Sequence, residues 1–286
     1  MSEGEFGVFS TDSCVVVLVA TWPRTDLLCR RSLPTIANQT YRPEAIVIVS
    51  DRQDLTVVEK ENVLAVLDEQ PVFFLRNTGE PGVSDTWNTG IDFINCHWPT
   101  AYVAILDDDD QWCSEHLLSC VTVATKQDYP DVVLSGIQML LNGMRLESCP
   151  LETVCVEDFL HTNPGWQGSN TFVKVMTLVR AGKFRRDLVS TNDRDLAIRL
   201  LDLPDITVGF TGKKTVTWHG GERQDALSQP GSQKKLMGLA MFYNLYAHRM
   251  NPNVREMFFH RCLNVFGFSE RQIMENCHNG ADLSSF

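Results

Sequence analysis

The chain has 286 residues, of which 43% are hydrophobic and 21% charged, and a formal net charge of −11. These values are typical of a globular protein with one large α/β domain or two smaller ones. The negative charge argues against general nucleic-acid binding, because phosphate contacts need clustered Lys and Arg. Nine cysteines without a C-x-x-C pair favour a reducing, cytoplasmic location over a disulfide framework or a zinc ribbon. The opening sequence MSEGEFGVFS and the short apolar runs predict neither a signal peptide nor a transmembrane segment.

The first half of the chain alternates between strand-like and helix-like segments. The predicted strands are residues 14–20, 45–50, 72–75 and 101–106, and the predicted helices are 27–37, 56–67 and 83–94. This alternation is typical of βαβ units around a mostly parallel sheet. Because their crossovers are right-handed, the carboxyl ends of the strands should meet at one edge, which we call the rim.

After residue 129 the pattern becomes less regular. We predict strands at 132–135 and 171–175, a helix at 193–201, and a closing pair of strands at 206–210 and 215–218. Residues 220–233 are rich in Gly, Ser, Gln and Pro, which predicts a long mobile loop. Two or three helices follow, at about 234–250, 254–266 and 269–277. Their aromatic residues indicate a homodimer interface, an acceptor cleft or plain core.

One buried strand ends in four consecutive aspartates, in the segment AYVAILDDDDQW at residues 101–112. Open α/β sheets bind ligands at the carboxyl ends of their strands. Four like charges in one turn repel each other, and a hard divalent cation with oxygen ligands offsets that repulsion. The pattern therefore predicts a metal-dependent site for a phosphorylated substrate. The alternative is a solvated turn before a helix that Ser114 and Glu115 indicate.

Four segments, taken in order and spacing, resemble the family 2 glycosyltransferases, which are inverting enzymes of the GT-A fold. They are VVVLVATWPRTDLLCRRSLPTIANQTYRPEAIVIVSD, GEPGVSDTWNTGI, LDDDDQW and STNDRDLAIRLLD. The resemblance covers roughly residues 14–219. It implies an α/β fold with a mostly parallel central sheet flanked by helices. The implied domain is 1–231, with a nucleotide-binding half at about 12–128 and an acceptor half at about 129–231, followed by a helical extension at 232–286.

The resemblance also implies where the nucleotide-sugar donor binds. Asp51 would accept a hydrogen bond from the base, although a turn-forming role is the alternative. Trp87 stands where the family usually has Arg, which removes one cationic contact to the nucleotide; Arg24 or Arg76 would compensate if it is not simply a surface charge. The implied donor-binding residues are Ala20, Thr21, Trp22, Arg24, Asp51, Asn88, Asp107 and Asp108.

The implied metal is manganese or magnesium, Mn²⁺ or Mg²⁺, held by the D-x-D pair Asp107 and Asp109. Asp109 would coordinate the ion directly, and Asp107 would contact the ribose or the metal through water. Asp108 and Asp110 would be supporting or solvent-facing residues. His219 would add a metal or phosphate contact, or have a purely structural role.

The second half supplies the implied catalytic and acceptor residues. Asp193 corresponds to the general base, or is only an acidic residue at a helix start. Asn192 replaces the family's usual Glu. The implied acceptor-binding residues are Trp166, Gly168, Ser169 and Asn192, and Arg223 would hold the diphosphate under a closing loop.

Together these residues predict a metal-dependent, inverting, hexosyltransferase-like enzyme. It would move a sugar from a UDP-sugar to a hydroxyl acceptor by single displacement. The acceptor stays open among a glycan, a lipid-linked sugar, a protein and a modified nucleobase. A sugar-phosphate nucleotidyltransferase is less well supported, because the first strand leads into ATWPRTD rather than a Gly- and Arg-rich loop. The remaining alternative is a catalytically silent module that binds a glycan or a nucleotide.

Overall fold

Four apolar runs form the parallel half of a central sheet in the computed structural model, which describes residues 14–22, 24–68, 70–147, 151–221 and 229–277. They are β1 (Val15–Thr21), β2 (Ala45–Ser50), β3 (Val72–Arg76) and β4 (Tyr102–Asp107), in the spatial order β3-β2-β1-β4. Every residue of β1 and β2 is buried, as β-branched strands are when both faces of the sheet are covered. All three pairings are parallel, so the predicted rim forms.

Five helices accompany these strands, at α1 (Thr25–Arg30), α2 (Ser32–Ala37), α3 (Val57–Leu67), α4 (Val83–His97) and α5 (His116–Lys126). The single helix predicted at 27–37 is two short helices. The reason is Pro34, which has no N–H to donate to the carbonyl of Arg30 four residues earlier. Helix α4 packs closely on β1, because a Cβ atom at Gly90 would lie 2.2 Å from a methyl carbon of Leu18.

The second half of the chain makes the sheet mixed rather than mostly parallel. Strand β8 (Thr171–Lys174) is antiparallel to β4 and to β6 (Val132–Leu141), and β6 is parallel to β9 (Val208–Gly220). The short β5 (Gln111–Trp112) and β7 (Met144–Arg145) pair antiparallel with β9 and β6. The predicted closing pair of strands is wrong: β9 is one 13-residue strand whose register against β6 shifts near Gly136.

Two hydrophobic clusters lie on opposite faces of the sheet. One contains residues of α6 (Val156–His161), α7 (Val175–Arg180) and α8 (Asn192–Leu201), together with the C-terminal helices α9 (Gln233–Tyr246), α10 (Pro252–Phe266) and α11 (Glu270–Cys277). Phe242 and Phe258 are fully buried in it, so these aromatic residues belong to the core. The homodimer and the division at residue 231 stay predictions.

The helix predicted at 234–250 ends earlier, and a 3₁₀ turn, Ala247–Arg249, follows it. Half of the predicted loop at 220–233, residues 222–228 including Arg223, lies outside the described residues. Within the described ranges, no helix has both the length and the apolar character needed to cross a bilayer.

Candidate active site

The four consecutive aspartates lie at the rim, where β4 ends and the chain turns into β5. Asp107, Asp109 and Asp110 each present one carboxylate oxygen to a common point, and these oxygens lie within 4.8 Å of one another. Burial raises the pKa of Asp107 well above its usual range, and the negative charges of Asp110 and Asp109 raise it further. A cation bound here would offset that repulsion, and three carboxylates are the oxygen donors that Mg²⁺ and Mn²⁺ prefer. The residues therefore fit a divalent metal.

The side chain of Asp108 points away from that group and ties β4 to the turn after β1. Its carboxylate accepts hydrogen bonds from Thr21 Oγ1 at 2.8 Å and from Arg24 Nη2 at 2.7 Å and 3.0 Å. Asp108 is buried, so it is a supporting residue of the two roles that we expected, and it does not face solvent. Arg24 is thus engaged with a carboxylate of the rim.

Asp110 is likewise buried, and it joins the rim to the second half of the chain. Its carboxylate accepts a hydrogen bond from Ser169 Oγ at 2.6 Å, and the backbone N–H of Asp107 donates to the same hydroxyl at 3.1 Å. Burial, with the Asp109 charge next, raises the pKa of Asp110. Ser169 is fully buried, so it holds the aspartate turn rather than facing an acceptor.

His219 lies beside the aspartates near the end of β9. Its backbone N–H donates to Asp110 Oδ1 at 3.2 Å, and its Nε2 lies 2.8 Å from Gln111 Oε1. The ring is not among the three groups that converge within 4.8 Å. The structure therefore places His219 next to the acidic group, through its backbone.

Gly168 brings the acidic group and the expected base together. Its backbone N–H donates a hydrogen bond to the Asp193 carboxylate. A Cβ atom at Gly168 would lie 3.3 Å and 3.4 Å from the two carboxylate oxygens of Asp107. Asp193 and Asp107 also repel each other electrostatically, since Asp193 contributes to the raised pKa of Asp107. The two halves of the predicted site thus meet at one glycine.

Asp193 lies in the first turn of α8. Burial raises its pKa to about 6, and the charge of Lys235 and the Gly168 N–H limit that rise. A carboxylate with this proton affinity is suited to accept a proton near neutral pH. Lys235 is a buried residue of α9 that the sequence interpretation missed, because nothing local marks a lysine 42 positions downstream as a neighbour.

Buried hydrogen bonds fix the start of α8. The Asn192 amide donates to Ser84 Oγ and to the Leu188 carbonyl, both at 2.6 Å. Asp195 accepts hydrogen bonds from Tyr246 Oη at 2.7 Å and from Arg199 Nη2 at 2.6 Å. The four-residue spacing of Asp195 and Arg199 was the available sequence signal for this network. Asn192 therefore anchors the helix that carries Asp193.

The expected nucleotide pocket lies on the same rim. Ala20 pairs with Asp107 across β1 and β4, and Thr21 follows it. Asp51 Oδ1 accepts hydrogen bonds from Asn77 Nδ2 at 2.9 Å and from the Gly82 N–H at 3.2 Å. Both partners hold this carboxylate at the end of β2, so Asp51 lies on the same rim as the acidic group, with β1 between β2 and β4.

Three further residues of the predicted site differ in their exposure to solvent: Trp22, Asn88 and Trp166. Trp22 is 39% exposed, and the Arg52 guanidinium lies 4.2 Å from its ring centroid. The buried Asn88 amide bonds the backbone of Phe184 in both directions, at 2.8 Å and 2.9 Å. Trp166 is also buried, with its indole N–H on Thr171 Oγ1 at 2.9 Å. Only Trp22 of these three presents an open surface.

Comparisons with known proteins agree with this geometry. Residues 17–144 match the family model described as Glycosyl transferase family 2. This segment of the chain is therefore similar to the family 2 glycosyltransferases. Over 115 residues the chain is 26% identical to the succinoglycan biosynthesis protein ExoW of Rhizobium meliloti, a match that covers 40% of this chain and 35% of that protein. The chain therefore matches about a third of the length of this curated relative.

Solved structures show that this chain has a GT-A-like fold. The Staphylococcus aureus TarS 1-349 structure in complex with UDP-GlcNAc has a TM-score of 0.61 at 16% identity, over 90% of this chain and 74% of that one. The mannosyltransferase PcManGT of Pyrobaculum calidifontis, in complex with GDP-Man and Mn²⁺, has a TM-score of 0.55 at 16% identity, over 93% and 73%. The predicted resemblance to the family 2 glycosyltransferases and the predicted GT-A-like fold are confirmed.

Proposed function

We propose that this protein transfers a sugar from a UDP-sugar to a hydroxyl acceptor, with inversion and with a divalent metal at the aspartate group. The observation that carries the proposal is the meeting of Asp193 and Asp107 at Gly168. Two similar solved structures support it, since one is in complex with UDP-GlcNAc and the other with GDP-Man and Mn²⁺. The eight described cysteines are free, which supports the cytoplasmic location that we also propose.

The rim would bind the donor in two parts. The Asp51 carboxylate, held by Asn77 and Gly82, would accept a hydrogen bond from the base. Asp109 would hold the metal together with Asp107 and Asp110, whose oxygens already converge. When bound, Mn²⁺ or Mg²⁺ supplies positive charge that neutralises the leaving diphosphate. The remaining donor contacts, from Trp22 and Arg24, are part of the same proposal.

Asp193 would act on the acceptor. Its ionised carboxylate takes the proton of the acceptor hydroxyl while that oxygen attacks the anomeric carbon of the sugar. The bond from the anomeric carbon to the diphosphate oxygen breaks, and UDP leaves with the electron pair. Attack on the opposite face inverts the anomeric configuration, and no covalent enzyme intermediate is needed. Gly168 holds the carboxylate in place through its N–H.

Calorimetric titration of UDP, with and without Mn²⁺, tests the donor site. Wild-type protein should bind UDP in a metal-dependent way, and Asp109→Ala should abolish that binding. Asp92→Ala is the matched control, because Asp92 is an exposed aspartate paired with Lys183. UDP-sugars would then be screened for hydrolysis and transfer. Absence of binding by UDP and by other nucleoside diphosphates, with metal present, would contradict the proposal and leave a binding module of the same fold.

A further inference from the structure

Trp87 is a buried tryptophan whose polar atom has no protein partner. It is 4% exposed, and within the described residues its indole N–H donates to nothing. An indole nitrogen is only a donor, and buried tryptophans usually find an acceptor for it. Two others do so here, since Trp112 donates to the Ser169 carbonyl at 2.7 Å and Trp166 to Thr171 at 2.9 Å. A buried donor without an acceptor is costly unless a ligand supplies one.

The surrounding contacts fix where this N–H lies. The Trp87 ring packs on Phe184 with 4.4 Å between centroids. A Cβ atom at Gly168 would lie 3.3 Å from Trp87 Cζ2 and 3.3 Å from Asp107 Oδ1. Cζ2 and Nε1 are both bonded to the same ring carbon, so they share one edge of the indole. That edge therefore lies against Gly168 and next to Asp107.

The proposed function, on which this inference rests, identifies which ligand would bind next to this edge of the indole. The transferred sugar must lie between the diphosphate, at the aspartate group, and the acceptor hydroxyl, at Asp193. Gly168 contacts both ends of that path. We propose that Trp87 is a specificity-determining residue whose indole N–H donates a hydrogen bond to an oxygen of the transferred sugar. The neutral single donor suits a sugar oxygen, whereas a charged diphosphate is better matched by a cation.

A comparison of UDP with UDP-sugars separates this role from general donor binding. UDP, UDP-glucose and UDP-GlcNAc are titrated with Mn²⁺ into wild type, Trp87→Phe and Trp98→Phe. Phenylalanine keeps an aromatic ring next to Phe184 and removes the indole N–H together with part of the indole ring. We expect Trp87→Phe to bind UDP within twofold of wild type and the preferred UDP-sugar about 2- to 13-fold more weakly, the range for one net hydrogen bond. Trp98, at the far end of α4, is the control and should change neither value.

The possible results are distinct. If wild type binds neither UDP nor a UDP-sugar, the proposed function fails. If wild type binds them and Trp87→Phe weakens both equally, or weakens neither, the role of Trp87 fails alone.

A second measurement needs no variant and remains decisive if Trp87→Phe does not fold. In ¹⁵N-labelled wild type, the Trp87 indole N–H resonance is assigned from its nuclear Overhauser contacts to Phe184. It should shift on saturation with the UDP-sugar and not with UDP. The same shift with both ligands, or with neither, would overturn the inference.

Discussion

The backbone N–H of Gly168 donates to the Asp193 carboxylate, while the same glycine packs closely against Asp107. One peptide unit therefore sets the spacing between the proposed base and the proposed metal group. Reactions of this kind depend on such spacing, because small errors in the relative position of reacting groups cost large factors in rate.

Gly168→Ala should lower transfer while the protein stays folded. The added methyl group would lie 3.3 Å from Asp107 and from Trp87, closer than ordinary contacts, so these side chains or the turn must move. We expect kcat to fall by about 10-fold or more, with a stability loss of about 1–3 kcal/mol. Transfer assays and thermal unfolding measure the two effects. Wild-type kcat in this variant would contradict the spacing argument.

Asp193→Asn should separate binding from chemistry. The amide keeps the size of the side chain but cannot accept the acceptor proton. Binding of UDP, measured by calorimetry, should stay within twofold, while transfer falls by about 10²- to 10⁴-fold, the usual contribution of general acid–base catalysis. A variant that transfers sugar at the wild-type rate would remove Asp193 from the role of base.

The pH dependence of transfer should report the charge of Asp193. Its pKa is raised to about 6, so kcat/KM should fall as pH drops through about 6 and the carboxylate becomes protonated. Lys235, whose pKa burial lowers to about 7, is still largely charged there and favours the ionised carboxylate. Lys235→Met should therefore move the acid limb of the profile to higher pH.

Lys234→Met is the matched control for that shift, because Lys234 is the exposed neighbour of Lys235 on α9. It should leave the profile unchanged. Equal shifts from both variants would assign the effect to the net charge of the protein. No shift from Lys235→Met would mean that this lysine does not act on the base.

Tyr246→Phe should destabilise the fold through α8. The Tyr246 hydroxyl donates to the fully buried Asp195 carboxylate at 2.7 Å. Loss of a hydrogen bond to a charged buried group costs about 1.5–3 kcal/mol. Urea unfolding measures this, with Tyr243→Phe as the control, since Tyr243 lies on the same helix and packs mainly on aromatic rings. A change in Tyr246→Phe no larger than in the control would contradict the prediction.

Removal of divalent metal by a chelator should stop transfer, and added Mn²⁺ or Mg²⁺ should restore it. Mn²⁺ should also raise the melting temperature of wild type, because a ligand that binds only the folded state stabilises it. Most of this stabilisation should come from the aspartate group, because a bound cation relieves the repulsion among Asp107, Asp109 and Asp110. Asp109→Ala should lose most of the shift. Full transfer in the presence of excess chelator would contradict metal dependence.

The sequence predicted the parallel half of the sheet well, because its strands are short runs of Val and Ile between clear turn signals. Strand β2 occupies the predicted residues 45–50. It predicted β9 poorly, since the Gly-Lys-Lys interruption looks like a turn, whereas the register shift near Gly136 absorbs it within one strand. Local patterns do not reveal a bulge that depends on the partner strand.

The candidate site shows the same division. The sequence indicated Asp107, Asp109 and Asp193, whose residue types and spacing carry chemical meaning. It did not separate Asp108 from Asp110, because their roles depend on which side chains reach the turn. Arg24 reaches Asp108, and Ser169 reaches Asp110 from a distant segment. Contacts of this kind exist only after the two halves of the chain have packed together.

Helix α9 has a consequence for how this protein can change. It places Lys235 beside the proposed base and Tyr246 on the network that anchors α8, while the rim proposed to bind the donor is built from β1, β2 and β4. A graft that exchanges the C-terminal helices for those of a relative would therefore carry the proton affinity of the base with it. Changes in the C-terminal helices would alter the reaction with the acceptor. Changes in the N-terminal strands would alter nucleotide recognition independently.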